Sequence, residues 1–264
     1  MPQNTRFVSD PPEQTLGRLT QRVTDEIGEA IVTGNLAQGE LLPVEADRVA
    51  RYGASRSVLR EAIKVLNAKG LVTAKPRRGT TVTKQSSWNV FDPDVLRWTL
   101  ARNFSLELLT QFTEIRIAIE PHASALACDA ASEEDIARIG QGFERMVEAD
   151  RGPDDPLAAD ISFHLAILDA SHNIFLARLK ALVETALHFS IRYTGSIARD
   201  ESEKLGIHEQ VYRAIEARDA RAARHAALKL LTDALDLMNQ GAPPASENGA
   251  ERPRKAPAGA TTTG

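Results

Sequence analysis

Asp160 and His164 stand four residues apart in the segment AADISFHLAIL, which puts a carboxylate and an imidazole on one face of a helix. Such a pair can ligate a metal, and it also arises as a simple hydrogen-bonded pair. His208, in LGIHEQVYRAIEARDARAA, offers a third ligand from another helix, and neutral imidazole with carboxylate suits Zn or a similar divalent ion. Arg116 could do different chemistry, because a buried guanidinium needs an anion to balance it. A carboxylate ligand would serve, as would a salt bridge with Glu114, Glu120 or another acid. His188, Arg192 and Tyr193 could add polar groups to the same cavity, whereas His122 and His172 are expected to be structural.

A second chemistry lies near the N-terminus. Residues 48 to 84 carry ten Lys or Arg against Glu61 alone, a local excess of nine positive charges in a chain whose formal net charge is -4. A basic block inside an otherwise acidic protein is what a polyanion site requires, since neutralised phosphates release counterions. A solvated surface run is the bland alternative.

The elements around that block decide between the two. LGRLTQRVTDEIGEAIVT places Leu16, Leu19, Val23, Ile27 and Ile31 at helical steps, and Gly34 ends the pattern. EADRVARYG reads as a short helix stopped by Gly53, and Ser55 caps a longer one ended by Gly70. LVTAKPRRGTTVT then reads as a hairpin with an Arg-rich tip. The whole is a winged helix-turn-helix over residues 14–84. Its second helix would enter the major groove of double-stranded DNA with Ser55, Arg56, Ser57 and Arg60 at the leading end, Arg being suited to bidentate contact with guanine or phosphate. Val58, Leu59, Ile63 and Leu66 would pack inward. Lys64 and Lys69 would meet phosphate or solvent, and the wing residues Arg77, Arg78, Gly79 and Thr80 could reach the adjacent minor groove.

Residues 85–103 read as a linker and a short helix opened by Asp92 and Pro93. From residue 104 to 239 every long segment has helical periodicity, broken at SEED (132 to 135), RGPDDP (151 to 156), SHN (171 to 173) and ARDESEK (198 to 204). This predicts an all-α bundle of six or seven antiparallel helices, so the fold is mainly α. Residues 240–264, rich in Gly, Pro and Ala, should be disordered. A length of 264 residues with 42% hydrophobic and 26% charged content fits two folded domains. No apolar run approaches the roughly 18 residues of a membrane span and the start has no signal-peptide core, so a cytoplasmic protein is expected, with no membrane partner. Cys128, the only cysteine, is expected to be buried packing.

Pro43-x-Glu45, Gly53-x-Ser55-Arg56-Ser57-x-Leu59-Arg60-Glu61-Ala62, Gly70-Leu71-Val72 and Arg78-Gly79 together resemble the DNA-binding domain of GntR-family regulators. The resemblance implies that Arg56, Arg60, the flanking hydroxyls and the wing glycine contact an operator. Ala46 and Arg48 depart from it, standing where the family often has Arg and usually has Leu. The C-terminal half resembles the all-helical effector domain of the FadR subgroup through Glu114-x-Arg116-x-x-x-Glu120-Pro121, Asp160-x-x-x-His164, Asn173 and His208. This implies an effector site of Arg116, Asp160, His164, Asn173 and His208, with Asp160, His164 and His208 as metal ligands. In metal-binding members a further histidine stands twenty-two positions after the third ligand, and here that position is Leu230. His225 does not obviously replace it, being about 140° away around a helix. Either a three-ligand site completed by water and effector, or no tight metal, is expected. The phrase Trp88-Asn89-x-x-Asp92-x-Asp94-Val95-Leu96-x-Trp98 is most similar to repressors of sugar-acid operons of the galactonate type.

The expected function is therefore a sequence-specific DNA-binding transcriptional regulator, a homodimeric repressor released from a palindromic operator by a small carboxylate such as a sugar acid. A metal-dependent hydrolytic enzyme using Asp160, His164 and His208 is the alternative from another class, but no nucleophile motif, Gly-rich phosphate loop or HExxH accompanies those residues. An architectural DNA-binding protein without effector would leave the polar cluster unexplained.

Overall fold

The computed structural model describes residues 12–241 apart from 44, 76, 103–104, 153 and 198–200. Helix α1 (Pro12–Val32) buries Val23, Ile27 and Ile31 along one stripe, while Leu16, expected on that stripe, is exposed. Helices α2 (Glu45–Tyr52) and α3 (Arg56–Ala68) are separated by Gly53 in the left-handed region (φ 58°), which gives the sharp turn of a helix-turn-helix. Val58, Leu59, Ala62, Ile63 and Leu66 of α3 are buried against α1, as the apolar spacing predicts. Strands β1 (Val72–Lys75) and β2 (Gly79–Val82) pair antiparallel with Val72 opposite Val82, and Leu41 bridges to Thr81 to tie this wing to the loop before α2.

After a short 3-10 turn at Gln85–Ser87, Asp92 caps α4 (Pro93–Arg102) by accepting from the amides of Asp94 and Val95. This helix belongs to two cores at once. Val95 and Trp98 complete the core of α1, α3 and the wing, whereas Leu96 and Leu100 enter the core of the helices that follow. Its hold on the DNA-reading part is polar as well as apolar: Asp25 of α1 accepts from the Trp98 indole at 3.0 Å and pairs with Arg97 at 2.6 Å. Lys69, at the end of α3, pairs with Asp92 at 2.7 Å and Asp94 at 2.9 Å.

Gly28 is what lets the two helices touch. A Cβ there would lie 2.5 Å from ring carbons of Trp98, which is 1% exposed. Gly28→Ala gains up to about 1 kcal/mol of helix propensity, but the overpacking costs about 1–3 kcal/mol. A net loss of up to about 2 kcal/mol is expected in urea unfolding, with a shift in tryptophan emission as the indole is displaced.

Seven helices follow among the described residues: α5 (Leu106–Ala130), α6 (Glu133–Asp150), α7 (Pro156–Ala170), α8 (Ile174–Arg178), α9 (Lys180–Ile197), α10 (Glu201–Glu216) and α11 (Ala220–Gly241). α5 lies along α11, α7 sits between α6 and α9, and α10 packs on α11 and α6. Three of the four breaks predicted from sequence fall at capped helix starts: Ser132 and Asp135 form a capping box, Asp155 precedes Pro156, and Asn173 caps α8. Of the fourth, residues 198–200 lie outside the described residues and 201–204 already form the first turn of α10. Cys128 is buried in this core, with its thiol pushed up to about 11 by burial and the charges of Asp129 and Asp219. Of the tail expected to be disordered, residues 240 and 241 belong instead to the last turn of α11, and 242–264 lie outside the described residues. No helix among those described is long and apolar enough to cross a membrane.

Candidate functional site

Within the bundle, three helices bring a chain of charged groups to one buried place. On α7, Asp160 and His164 share the inward face with Ala159, Phe163 and Ile167, so the helix period that buries the apolar stripe buries them too. On α5, Arg116 and Glu120 repeat the same four-residue step, and on α10 Lys204 and His208 do so again. Arg116 is 3% exposed, Glu120 4%, Asp160 2%, His164 5% and His208 1%, so every charge here must be answered by another.

Arg116 Nε meets Glu120 Oε1 at 2.5 Å, and Glu120 Oε2 meets His164 Nδ1 at 2.7 Å. His164 Nε2 lies 3.2 Å from Asp160 Oδ1, and Lys204 Nζ holds Asp160 Oδ2 at 2.8 Å. Burial alone would raise the Glu120 carboxyl, but Arg116 and His164 outweigh it and bring it to about 2. Asp160 is likewise held well below the usual range, the penalty of burial being overcome chiefly by the Lys204 charge and the hydrogen bond to His164. For His164 burial works against the charged form, and Glu120 and Asp160 together raise its pKa. A neutral imidazole can donate to only one of two flanking carboxylates. The other side of His164 therefore calls for a second proton or a metal.

His208 carries the sharper signal. Its Nδ1 is 2.8 Å from the Lys204 carbonyl oxygen, which can only accept, so the proton sits on Nδ1 and Nε2 presents a lone pair. That Nε2 is buried without a hydrogen-bond partner and lies 3.7 Å from Asp160 Oδ1. Asp160, His164 and His208 offer ligand atoms all within 4.8 Å of one another. One orphaned imidazole nitrogen, a second facing a carboxylate and the carboxylate itself fit a divalent cation, and the backbone bond at His208 Nδ1 fixes its tautomer as an outer partner of a metal ligand does. The cavity beside them, lined by Glu120, Phe163, His164, Val211, Leu230 and Leu231, has about the room of one water molecule. A wider cleft of about 710 Å³ opens where α1, Trp88 and the starts of α4 and α5 meet, away from the charged cluster.

Other sequence-predicted residues fall elsewhere. Asn173 accepts from the amides of Phe175 and Leu176, so its side-chain oxygen is engaged as a helix cap. Arg116 has its anion in Glu120, the salt-bridge alternative, while Glu114 is exposed. His188 and Arg192 lie on the exposed face of α9. His122 pairs with Arg224 and His172 with Asp135, consistent with structural roles. Spacing could have flagged Lys204, which stands one turn from His208 and had no part in the expected site; Glu120, expected only as one possible partner of Arg116, also meets His164.

At the other end of the molecule, Ser55 caps α3, accepting from the Val58 amide, and its hydroxyl lies 2.8 Å from that of Ser57. Arg56, Ser57 and Arg60 are exposed on the leading end of α3, opposite its buried face. Arg77, Arg78 and Gly79 are exposed at the wing tip, where Arg77 takes φ 61° and Gly79 φ 83°. Thr80 departs from the expectation: it is 8% exposed, because the alternation of β2 turns it inward. Lys69 departs too, its ammonium being committed to Asp92 and Asp94 rather than to phosphate or solvent. Lys64 is exposed beside Glu61.

A winged helix-turn-helix joined through a shared helix to an all-helical domain with a buried ligand-type cluster defines a ligand-responsive DNA reader. Comparison with known proteins gives the same answer. Residues 19–82 match the bacterial regulatory proteins of the gntR family and residues 111–233 match the FCD domain. The chain is 30% identical over 214 residues to the galactonate operon transcriptional repressor of Escherichia coli K12, covering 80% of this chain and 93% of that one. It is 29% identical to the regulator LutR of Bacillus subtilis 168, covering 79% and 96%. The solved structure of Lar of Listeria monocytogenes superposes with a TM-score of 0.56 at 21% identity, covering 85% of this chain and 98% of that one, a likeness of fold. The chain belongs to the GntR family: it is a DNA-binding transcriptional regulator with an effector-binding FCD domain, not an enzyme.

Proposed function

We propose that the protein is a cytoplasmic homodimeric repressor that reads a palindromic operator with two copies of the Ser55–Arg60 segment and leaves it when a small hydroxy-carboxylate, such as a sugar acid, binds the helical domain. The observation that carries the effector site is the orphaned, buried Nε2 of His208 converging with Asp160 and His164. These three residues would hold a divalent ion, Zn or a similar metal, which when bound supplies a Lewis-acid seat for a carboxylate or hydroxyl oxygen. Glu120 would orient His164 through Nδ1, and the Lys204 carbonyl would orient His208. The name of the galactonate relative supports the sugar-acid class. Arg116 does not, because its charge is already answered within the chain.

The cavity beside the cluster is too small for a sugar acid, so the effector would have to part α7, α10 and α11. α7 packs on α9, α9 on α4, and α4 on α1. A ligand that prefers the parted arrangement would shift α4, and with it the spacing of the two reading heads; a ligand without that preference would shift nothing. Arg56, Arg60 and Ser57 would meet base edges and phosphate, with Arg77, Arg78 and Gly79 at the minor groove.

The test is binding of the purified protein to the DNA upstream of its own coding sequence, with and without a panel of sugar acids, at fixed salt. Release by one acid supports the reading; specific binding indifferent to every acid would discard the effector class. In the same assay Arg56→Ala should cost about 1–3 kcal/mol of specific affinity, some 5- to 150-fold, and binding unchanged by that substitution would remove α3 as the reading helix.

A further inference from the structure

The metal-type cluster contains a cation of its own. Lys204 Nζ lies 2.8 Å from Asp160 Oδ2, on the same carboxylate whose other oxygen faces His164 and His208. Lys204 and His208 are one turn apart on α10, so both heads reach the same place. We propose that Lys204 is a tethered competitor for the metal: its ammonium holds Asp160 until a divalent ion displaces it, and so sets how tightly this site takes metal. The inference rests on the metal-site reading above.

The charges support it. The buried carboxylates Glu120 and Asp160 are already balanced by Arg116 and Lys204, so the cluster holds no uncompensated negative charge for an entering ion. A divalent ion would add two uncompensated charges at low dielectric, and an ammonium sharing its carboxylate would repel it at close range. One cation has to leave. Arg116 is enclosed, its side chain 4% exposed and bound to Glu120. The Lys204 side chain is 32% exposed, so its flexible stem can carry the ammonium to solvent once a metal takes over Asp160. The ligand set also makes the competition decisive. Leu230 lines the cavity in place of a further ligand, so the metal depends heavily on Asp160, the one group Lys204 occupies.

Calorimetric titration of the metal-stripped full chain with Zn²⁺ alone tests the proposal. Lys204→Gln should bind Zn²⁺ at least tenfold more tightly than the wild type, and Lys204→Arg, which keeps the charge, should stay much closer to the wild type. A second measurement needs no variant: acetylation of Lys204 by an activated ester, mapped by mass spectrometry, should accelerate several-fold when Zn²⁺ is added to the wild type. If the wild type and Lys204→Gln bind Zn²⁺ equally, or Lys204 reactivity is unchanged by bound Zn²⁺, the competitor role is overturned while the metal site stands. If no form binds Zn²⁺, both fail together.

Discussion

Glu120→Ala should be among the most damaging single changes in the helical domain, lowering stability by about 3–5 kcal/mol, because it strands the buried Arg116 guanidinium without its anion. The pair itself need not be worth that much. Removing both partners together, as Arg116→Met with Glu120→Leu, should restore most of the loss, since a packed apolar pair avoids the desolvation of two ions. Denaturant unfolding of the single and double variants measures both terms; equal losses in the two would mean that the charges are not the cause. The same pair sets a pH signature. The Glu120 carboxyl sits at about 2 in the fold against an ordinary 4.5, so the folded state favours the ionised form. Its contribution, about 3 kcal/mol by linkage, is complete above the unfolded value near 4.5 and is lost as pH falls towards 2. The wild type should therefore have a steeper loss of stability across that window than the double variant.

What could be read from the chain follows from how local each signal is. The reading head was legible because its marks lie within a few residues of one another: Gly53 for the left-handed turn, Ser55 for the cap, the apolar stripe from Val58 to Leu66, and the Pro and Gly flanking the wing tip. The trio Asp160, His164 and His208 was legible because a helical step of four places two of its members and the chemistry of imidazole offered a third on another helix, which the resemblance reinforced. Less local features escaped. Nothing near Thr80 says which face of a four-residue strand turns inward, since that depends on register with β1 and the bridge to Leu41. Lys69 sits in a basic block and pairs instead with acids more than twenty residues on. Asn173 could be ligand or cap on spacing alone, and the backbone geometry at the start of α8 takes its oxygen. The most consequential omission is α4. Its sequence reads as a linker helix, yet it divides its apolar residues between two cores, which a periodicity search does not distinguish from one broad apolar face.

Leu230→His should convert the proposed three-ligand site into a four-ligand one and tighten Zn²⁺ binding by roughly a hundredfold, the upper end of the about 10–100-fold range of outer-partner substitutions. The geometry favours it because Leu230 lines the same small cavity as His164 and Glu120, is 7% exposed, and replaces one medium side chain by another. Tetrahedral Zn²⁺ closed by four protein ligands is a structural site, whereas three ligands leave a position open to exogenous oxygen. The substitution should therefore separate two properties that the native residue joins: metal would be retained through dialysis against a mild chelator, while an anionic effector would lose its coordination position and its power to release DNA. Zn²⁺ titration and operator binding with the releasing acid measure the two in parallel. Tighter metal with release intact would mean that the effector never coordinates the ion and is recognised by other groups in the parted cavity. Unchanged metal affinity would mean that residue 230 does not reach the site at all, and that Leu230 is there to pack α11 against α5.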